Sequence, residues 1–171
     1  GGIVPRMVLA VTRAAIAAAL LASPAAMAGG PVVAWGSNTF GESTVTSSVG
    51  TCSQVAAGWD HSIVLKTTAK VYAWGDNSSN QSLVPQTGTY VFVAGGGHNS
   101  AAISSTGTLS VWGDNSSGQC GVPPALGACA QVALGGYHCV ARRTDGIVAC
   151  WGDNLYNQSL SPAGTYKWVG A

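Results

Sequence analysis

Three histidines recur along the sequence at nearly constant spacing, and three imidazole side chains are a frequent ligand set for zinc. They are His61, His98 and His138. Each follows a short Val-Ala stretch that ends in glycine, which predicts equivalent positions in successive copies of one repeat. We therefore expect all three to be hydrogen-bonded structural residues, and we predict no bound metal.

Five cysteines offer a second kind of chemistry, and their spacing contains no Cys-x-x-Cys pair of the kind that binds zinc. Cys139 and Cys150 lie on either side of a predicted hairpin turn. If that turn is centred on Thr144 and Asp145, the two cysteines face each other and are predicted to form a disulfide. Cys120 and Cys129 flank a short segment and are a second predicted pair. Cys52 is left without a predicted partner.

The remaining candidates for catalysis are weak. An aspartate recurs after each of three Trp-Gly pairs, where capping of a turn is its ordinary role, at Asp76, Asp114 and Asp153. The glycine run 95–97 does not open a helix and is therefore no phosphate-binding loop. No nucleophile motif is present. The sequence predicts a protein without enzymatic activity or cofactor.

The elements that carry these residues belong to a repeat array. Trp-Gly occurs four times at intervals of 38 or 39 residues, and each pair is followed by Glu or Gln seven residues after the Trp. We expect the tryptophans to pack between repeats; they are Trp35, Trp74, Trp112 and Trp151. Several markers that share one period indicate copies of a single structural unit.

Each unit reads as three short strands, and no amphipathic helix of useful length is present. A period near 39 residues therefore predicts an all-β fold, a partial β-propeller of about three and a half blades. The predicted domain spans 29–171. Its parts are a half repeat at 32–51, full repeats at about 52–90, 91–128 and 129–166, and the start of another at 167–171.

Residues 1–28 read as a leader that contains a secretory signal peptide from Met7 to Ala28. This prediction rests on the positive charges of Arg6 and Arg13, an apolar run at 14–21 and the small residues Ala26 and Ala28. We expect the mature protein to be secreted or periplasmic, with no membrane contact after cleavage. Only 8% of the residues are charged and the net charge is +1, which argues against a nucleic-acid partner.

The Trp-Gly block of 71–81, followed by Val-Pro and then by Val-Ala-Gly and His, resembles the regulator of chromosome condensation repeat. The short period is most similar to the secreted bacterial β-lactamase-inhibitor propellers built from that repeat. The resemblance implies a ring of seven blades. We therefore expect either a fragment of a longer chain or a homodimer in which two copies close one ring. Cysteines at both 139 and 150 also agree with the secreted members.

For function, the resemblance implies a non-catalytic binding module that contacts an unknown protein partner through its loops. The most specific function that it implies is inhibition of a β-lactamase. Four aromatic residues in variable loop positions are the predicted contacts: Phe40, Trp59, Tyr137 and Tyr156. One alternative is a carbohydrate-binding propeller that uses the repeated Trp, Asn and Gln. Another is a relative of guanine-nucleotide exchange factors, against which the leader and the weak charge argue.

Overall fold

The structure is a computed structural model that describes residues 7–11, 29–85 and 88–171. Across these ranges the chain forms strands and turns and no helix, which confirms the predicted all-β fold. No helix in the same ranges has the length and hydropathy needed to span a membrane. Most of the predicted leader, 1–6 and 12–28, lies outside the described residues.

Nine of the strands form three antiparallel blades of three strands each, and in every blade the middle strand pairs with both neighbours. Two further strands, β1 (Met7–Val11) and β2 (Gly30–Gly36), extend the first blade into a sheet of five strands. The first blade is β3 (Thr51–Ala57), β4 (His61–Lys66) and β5 (Val71–Gly75). The second is β6 (Tyr90–Gly95), β7 (Asn99–Ser104) and β8 (Leu109–Gly113). The third is β9 (Cys129–Leu134), β10 (His138–Arg143) and β11 (Val148–Gly152).

Apolar side chains on both faces of the middle strands hold the blades together. Ile63 and Leu65 of β4 are buried against Val93 and Ala102 of the second blade. A second core joins the second and third blades in the same way, with Ile103 buried in it. Strands covered on both faces lose the alternation of apolar and polar residues, which explains their nearly continuous apolar sequence.

Glutamine side chains of two first strands hold segments that come later in the chain. The side-chain amide oxygen of Gln54 in β3 accepts a hydrogen bond from the Val93 backbone N–H of β6 at 2.9 Å. Gln131 of β9 holds Val169 at both backbone groups, accepting from its N–H at 3.2 Å and donating to its carbonyl at 3.1 Å. First strands side by side along one edge are the arrangement of a partial β-propeller.

The hairpin between β10 and β11 has a three-residue turn, and this corrects the predicted disulfides. The Arg143 N–H donates to the Ile147 carbonyl at 2.8 Å, and Gly146 has a φ of +88°. Cys139 therefore faces Trp151, while Cys150 faces Val140 on the opposite side of the sheet. The predicted pairing of Cys139 with Cys150 is wrong because it assumed a turn one residue shorter.

The other predicted pair is also not formed. All five cysteines are free thiols, Cys120 and Cys129 among them. Cys52 and Cys129 occupy matching places at the start of a first strand, and both are buried.

β1 is the one described piece of the predicted signal peptide. It pairs in parallel with β2, with Met7 facing Val32, and lies at the edge of the first sheet. β2 in turn contacts β3 through only two residue pairs, Gly30 with Cys52 and Pro31 with Thr51. Cleavage of the leader stays a prediction.

Candidate functional site

The turns between the first and second strands of the blades lie together at one end of the array. In each blade, an aspartate N–H at the end of the third strand donates to the carbonyl of the turn residue, at 2.8–2.9 Å. The accepting residues are Asp60, His98 and Tyr137, which are therefore structurally equivalent. We call this end of the blades the rim. It also includes the loops that follow the third strands.

This equivalence corrects one prediction about the histidines. The position that matches His61 and His138 is Asn99, because all three begin the second strand of their blades. His98 stands one residue earlier. Successive side chains along an extended chain point to opposite sides, so His98 is directed to the rim and not into the blade junction.

His61 is a structural residue, as its surroundings show. It is fully buried, and its Nε2 lies 2.8 Å from the Ser100 hydroxyl of the next blade. Burial, assisted by the nearby charge of His98, lowers the pKa of His61 to about 4. Burial also lowers the pKa of His138. Both imidazoles are therefore neutral at pH 7.

Trp59 lies across the rims of the second and third blades. Its ring centroid is 5.2 Å from that of His98 and 5.9 Å from that of Tyr137. The interplanar angles are 82° and 86°, the edge-to-face geometry that aromatic rings favour. One side chain from the first blade thus connects the turns of all three blades.

Gly136 gives Trp59 the room to do so, because a Cβ at position 136 would lie 3.2 Å from the Trp59 ring. A Cβ at position 97 would instead lie 2.7 Å from the Gly136 carbonyl oxygen, so Gly97 lets the turn of the second blade pass close to that of the third. Gly97 and Gly136 occupy the positions that match Trp59 in the next two repeats. One Trp and two glycines at one repeat position are a sequence signal for this overlap, and sequence reasoning missed it.

A cleft of about 590 Å³ opens beside Trp59 at the rim. It combines two aromatic rings, two carboxyl groups and an imidazole, and its lining residues are Phe40, Trp59, Asp60, Asp76, Ser78 and His98. Aromatic surface next to carboxyl groups suits a ligand that is both apolar and positively charged. The cleft thus brings predicted contact residues and ionisable groups together at the rim.

Asp76 supplies a stable negative charge to the cleft. Burial raises its pKa, but hydrogen bonds from the Ser78 hydroxyl, the Ser78 N–H and the Gln81 amide outweigh that effect, so the pKa lies below its usual value. His98 Nδ1 lies 3.7 Å from the same carboxylate. Asp76 is therefore ionised at neutral pH.

The same loop geometry recurs in the other repeats. The Gln119 amide donates to Asp114 at 3.0 Å, and the Gln158 amide donates to Asp153 at 2.6 Å. The recurring aspartates thus hold the loops after the third strands. Their recurrence reflects loop structure and not paired carboxylates for acid–base catalysis.

The structure brings three of the four predicted aromatic contacts together. Phe40, which is 47% exposed, lines the cleft with Trp59, and Tyr137 contacts Trp59. Tyr156 is 82% exposed and has no ring contact with any other described residue. The candidate site is therefore Phe40, Trp59 and Tyr137 with the cleft beside them.

The repeated tryptophans are not part of this site. Trp112 and Trp151 lie between blades, and their indole N–H groups donate to the carbonyls of Gln81 and Gln119 at 3.0 and 2.9 Å. Trp74 is half-buried near β2, whereas Trp35 is 48% exposed. Within the described ranges, no three His, Cys, Asp or Glu side chains form a group able to hold a metal ion.

Three segments of the chain match the profile of the regulator of chromosome condensation (RCC1) repeat, at residues 52–81, 90–119 and 129–158. Each match runs from the first strand of a blade to the Gln that closes the loop after its third strand. No curated protein matches the sequence.

Solved structures with the same fold are larger. Human WBSCR16 is 27% identical with a TM-score of 0.57, and the match covers 62% of this chain and 35% of that protein. The ectodomain of the Arabidopsis thaliana receptor kinase ACR4 is 24% identical with a TM-score of 0.60, covering 71% of this chain and 44% of that one. Prp20p from Saccharomyces cerevisiae, which has described binding properties toward Gsp1p and histones, is 24% identical with a TM-score of 0.53, covering 60% and 31%.

The chain thus spans less than half the length of each of these structures. The matched repeats nevertheless cover more than half of its own residues, and they coincide with the three blades. This chain belongs to the RCC1 repeat family.

Proposed function

We propose that the chain is a non-catalytic, secreted protein-binding module whose partner docks on the rim at Trp59. The observation that carries this proposal is the position of Trp59, which lies over two other blades and beside an open cleft. Aromatic side chains held in place by packing are the residues that most often dominate protein–protein affinity. Support also comes from Prp20p, a structural neighbour that binds the proteins Gsp1p and histones.

The charge of the cleft sets the chemistry of the partner. Asp60 and Asp76 face the same space as the rings of Phe40 and Trp59. A lysine or arginine side chain of the partner would satisfy both features, through its charge and through contact with an aromatic face. The module therefore favours a partner that presents a basic residue on an exposed loop.

The main test captures a binding partner from the proteins of the culture medium and compares the affinity of two aromatic variants for it. Trp59→Ala removes the ring that connects the blades, and Tyr156→Ala removes a smaller, more exposed aromatic ring that touches no other described ring. A hot-spot residue contributes about 2 kcal/mol, so we expect Trp59→Ala to weaken binding of the captured and purified partner about 30-fold. Tyr156→Ala should leave the dissociation constant unchanged.

Two results would contradict the proposal. In the first, both variants bind the partner as tightly as the unaltered chain. In the second, the chain binds members of a glycan array and no protein, which would favour the carbohydrate-binding alternative.

Inhibition of a β-lactamase is the most specific form of this proposal. The resemblance of the short repeat to the secreted inhibitor propellers suggests it, and the rim offers the contact surface. Hydrolysis of a chromogenic cephalosporin by a purified class A enzyme, with and without a molar excess of the chain, measures it directly. Unchanged hydrolysis with the unaltered chain would exclude this form and leave the wider proposal of protein binding in place.

We also propose that the outer faces of the array are covered by further blades, from a second copy or from a longer chain. Trp35 at one end and Trp168 at the other are 48% and 60% exposed. A further blade packed on either end would remove one of these indole rings from water. Sedimentation at micromolar concentration distinguishes a dimer from a monomer, and a monomer would exclude the ring of two copies.

A further inference from the structure

One junction between blades contains two cysteines where the other junctions contain two serines. The first residue of each pair follows the Glu or Gln that closes a loop, and the second lies in the middle strand of the next blade. The pairs are Ser43 with Ser62, Ser82 with Ser100, and Cys120 with Cys139. Both positions thus change from hydroxyl to thiol together, and only between the second and third blades.

The thiols occupy the places of the hydroxyls. The Ser100 hydroxyl donates to the Gln81 carbonyl at 2.8 Å, and the Cys139 thiol donates to the matching Gln119 carbonyl at 3.1 Å. The Ser82 hydroxyl donates to the Asp76 carbonyl at 2.8 Å, and the Cys120 thiol donates to the Asp114 carbonyl at 3.1 Å. The backbone therefore accommodates either residue type without rearrangement.

The two cysteines are close enough to be bridged. Cys139 Sγ lies 3.1 Å from the carbonyl oxygen of Gln119, the residue directly before Cys120. A planar peptide then places the Cys120 Cα within about 6 Å of that sulfur. The Cys139 sulfur therefore lies near the base of the Cys120 side chain. The Cys120 sulfur contacts the Asp114 carbonyl, so a bond requires rotation of the Cys120 side chain toward Cys139.

Asn99 points to the same shared space. Its amide nitrogen lies 3.4 Å from Cys120 Sγ. Its counterpart in the first blade, His61, contacts Ser100, the counterpart of Cys139. A charge on Cys120 also adds to burial in raising the pKa of Cys139 to about 12.

The other cysteines are poorly placed as partners. Cys150 lies on the opposite face of the sheet from Cys139. Cys129 pairs with Arg143, four residues along β10 from Cys139, which is about 13 Å at the usual rise of a strand. Cys52 belongs to the first blade and contacts the Val49 and Gly50 carbonyls there.

We propose that Cys120 and Cys139 form a disulfide that fastens the second blade to the third when the folded protein meets a disulfide oxidant such as oxidised glutathione. The Cys120 thiolate attacks the oxidant, forms a mixed disulfide and releases one glutathione. Cys139 then loses its proton, attacks Cys120 Sγ and releases the second glutathione. Two thiols lose two protons and two electrons, and one oxidised glutathione becomes two reduced molecules. The more accessible Cys120 reacts first because Cys139 is fully buried.

Peptide mapping tests the connectivity. The folded chain is incubated with oxidised glutathione, its free thiols are alkylated, and it is digested with chymotrypsin and trypsin together. Cleavage after Leu126, Tyr137 and Arg143 places Cys120, Cys129, Cys139 and Cys150 on separate peptides. We expect one linked pair of peptides that contains Cys120 and Cys139. Linkage of Cys120 to Cys129, linkage of Cys139 to Cys150, or alkylation of all five thiols would overturn the proposal.

Serine substitutions supply the matched controls, because serine is the residue that other repeats carry at both positions. Oxidation should raise the midpoint of thermal unfolding of the unaltered chain and of Cys129→Ser by about 5 °C. The same treatment should leave Cys120→Ser and Cys139→Ser unchanged. An equal rise in all four proteins, or no rise in any, would contradict the proposed bond. This proposal stands apart from protein binding at the rim and can fail or succeed without it.

Discussion

The two ends of the blades repeat in different ways. At the end opposite the rim, each hairpin closes with the same backbone bond across three turn residues, from Lys66 to Lys70, Ser104 to Thr108 and Arg143 to Ile147, at 2.8–2.9 Å. At the rim the backbone bonds recur equally well, but the side chains change from Asp60 to His98 to Tyr137. The change from a carboxyl group to an imidazole to a phenol on one constant backbone is why we propose the rim as the surface that a partner contacts.

The rim also has the tighter backbone. Gly75 has a φ of +101°, and a Cβ there would lie 2.7 Å from the Asp60 carbonyl and 2.8 Å from the His61 Cα. Gly113 and Gly152 repeat this conformation, with φ values of +111° and +98°. These glycines let the end of the third strand pass directly against the turn that carries the candidate site.

The largest expected effect comes from Gly75→Ala. The added methyl group collides with backbone atoms and forces a conformation that alanine disfavours, so we expect a loss of about 4 kcal/mol in the free energy of unfolding. Gly118→Ala is the control, since Gly118 also has a positive φ, +77°, but open space around it. It should lose only about 1 kcal/mol. Urea unfolding measures both, and equal losses would contradict the tight-rim interpretation.

The next largest effect is the pH dependence of the free energy of unfolding, which depends on the buried His61 and not on the rim. The pKa of His61 is lowered to about 4 in the folded state, mainly by burial, while the unfolded chain keeps the usual value near 6.5. As the pH falls from 6.5 to 4 the unfolded state therefore gains the proton first, and the fold loses about 3 kcal/mol.

His61→Asn, which copies Asn99 of the second blade, should remove most of this loss. The measurement is the free energy of unfolding at pH 7, 5.5 and 4.5 for both proteins. The comparison uses the change with pH and not the absolute stability. An unchanged pH dependence in His61→Asn would show that His61 is not the responsible group.

The smallest effect lies at the hairpin end. Ala69 has a φ of +60°, where the matching Gly107 and Gly146 have +84° and +88°. Ala69→Gly should raise the free energy of unfolding by about 0.5 kcal/mol, because glycine adopts this conformation without steric cost. A lower stability of the variant would show that the Ala69 methyl group makes a contact that outweighs the strain.

The repeat markers were sufficient to predict the architecture. Trp-Gly pairs at a fixed period, with short apolar runs between turns, predict three-stranded units that must cover each other's faces. Trp112 and Trp151 explain why the marker is so constant, since each both fills a junction and donates its indole N–H to the neighbouring repeat.

The sequence did not settle which residues occupy equivalent positions in successive blades. His98 is the histidine that the repeat motif predicts, yet Asn99 is the residue that begins the second strand. A shift of one residue turns a buried side chain into a rim side chain. The same kind of error affected Cys139 and Cys150, because Gly146 adds a third residue to the turn. Nor could the sequence reveal that Trp59 reaches two other blades, since its ring lies against Gly136 of the third blade.

The Gln54 and Gln131 amides have a consequence for synthesis on the ribosome. Each reaches forward along the chain, Gln54 to Val93 in the first strand of the second blade and Gln131 to Val169 in the segment after the third blade. A finished blade thereby offers a template before the later strands of its neighbour exist. Assembly can proceed from the amino terminus one unit at a time, which shortens the time for which an exposed apolar strand edge could contact another nascent chain.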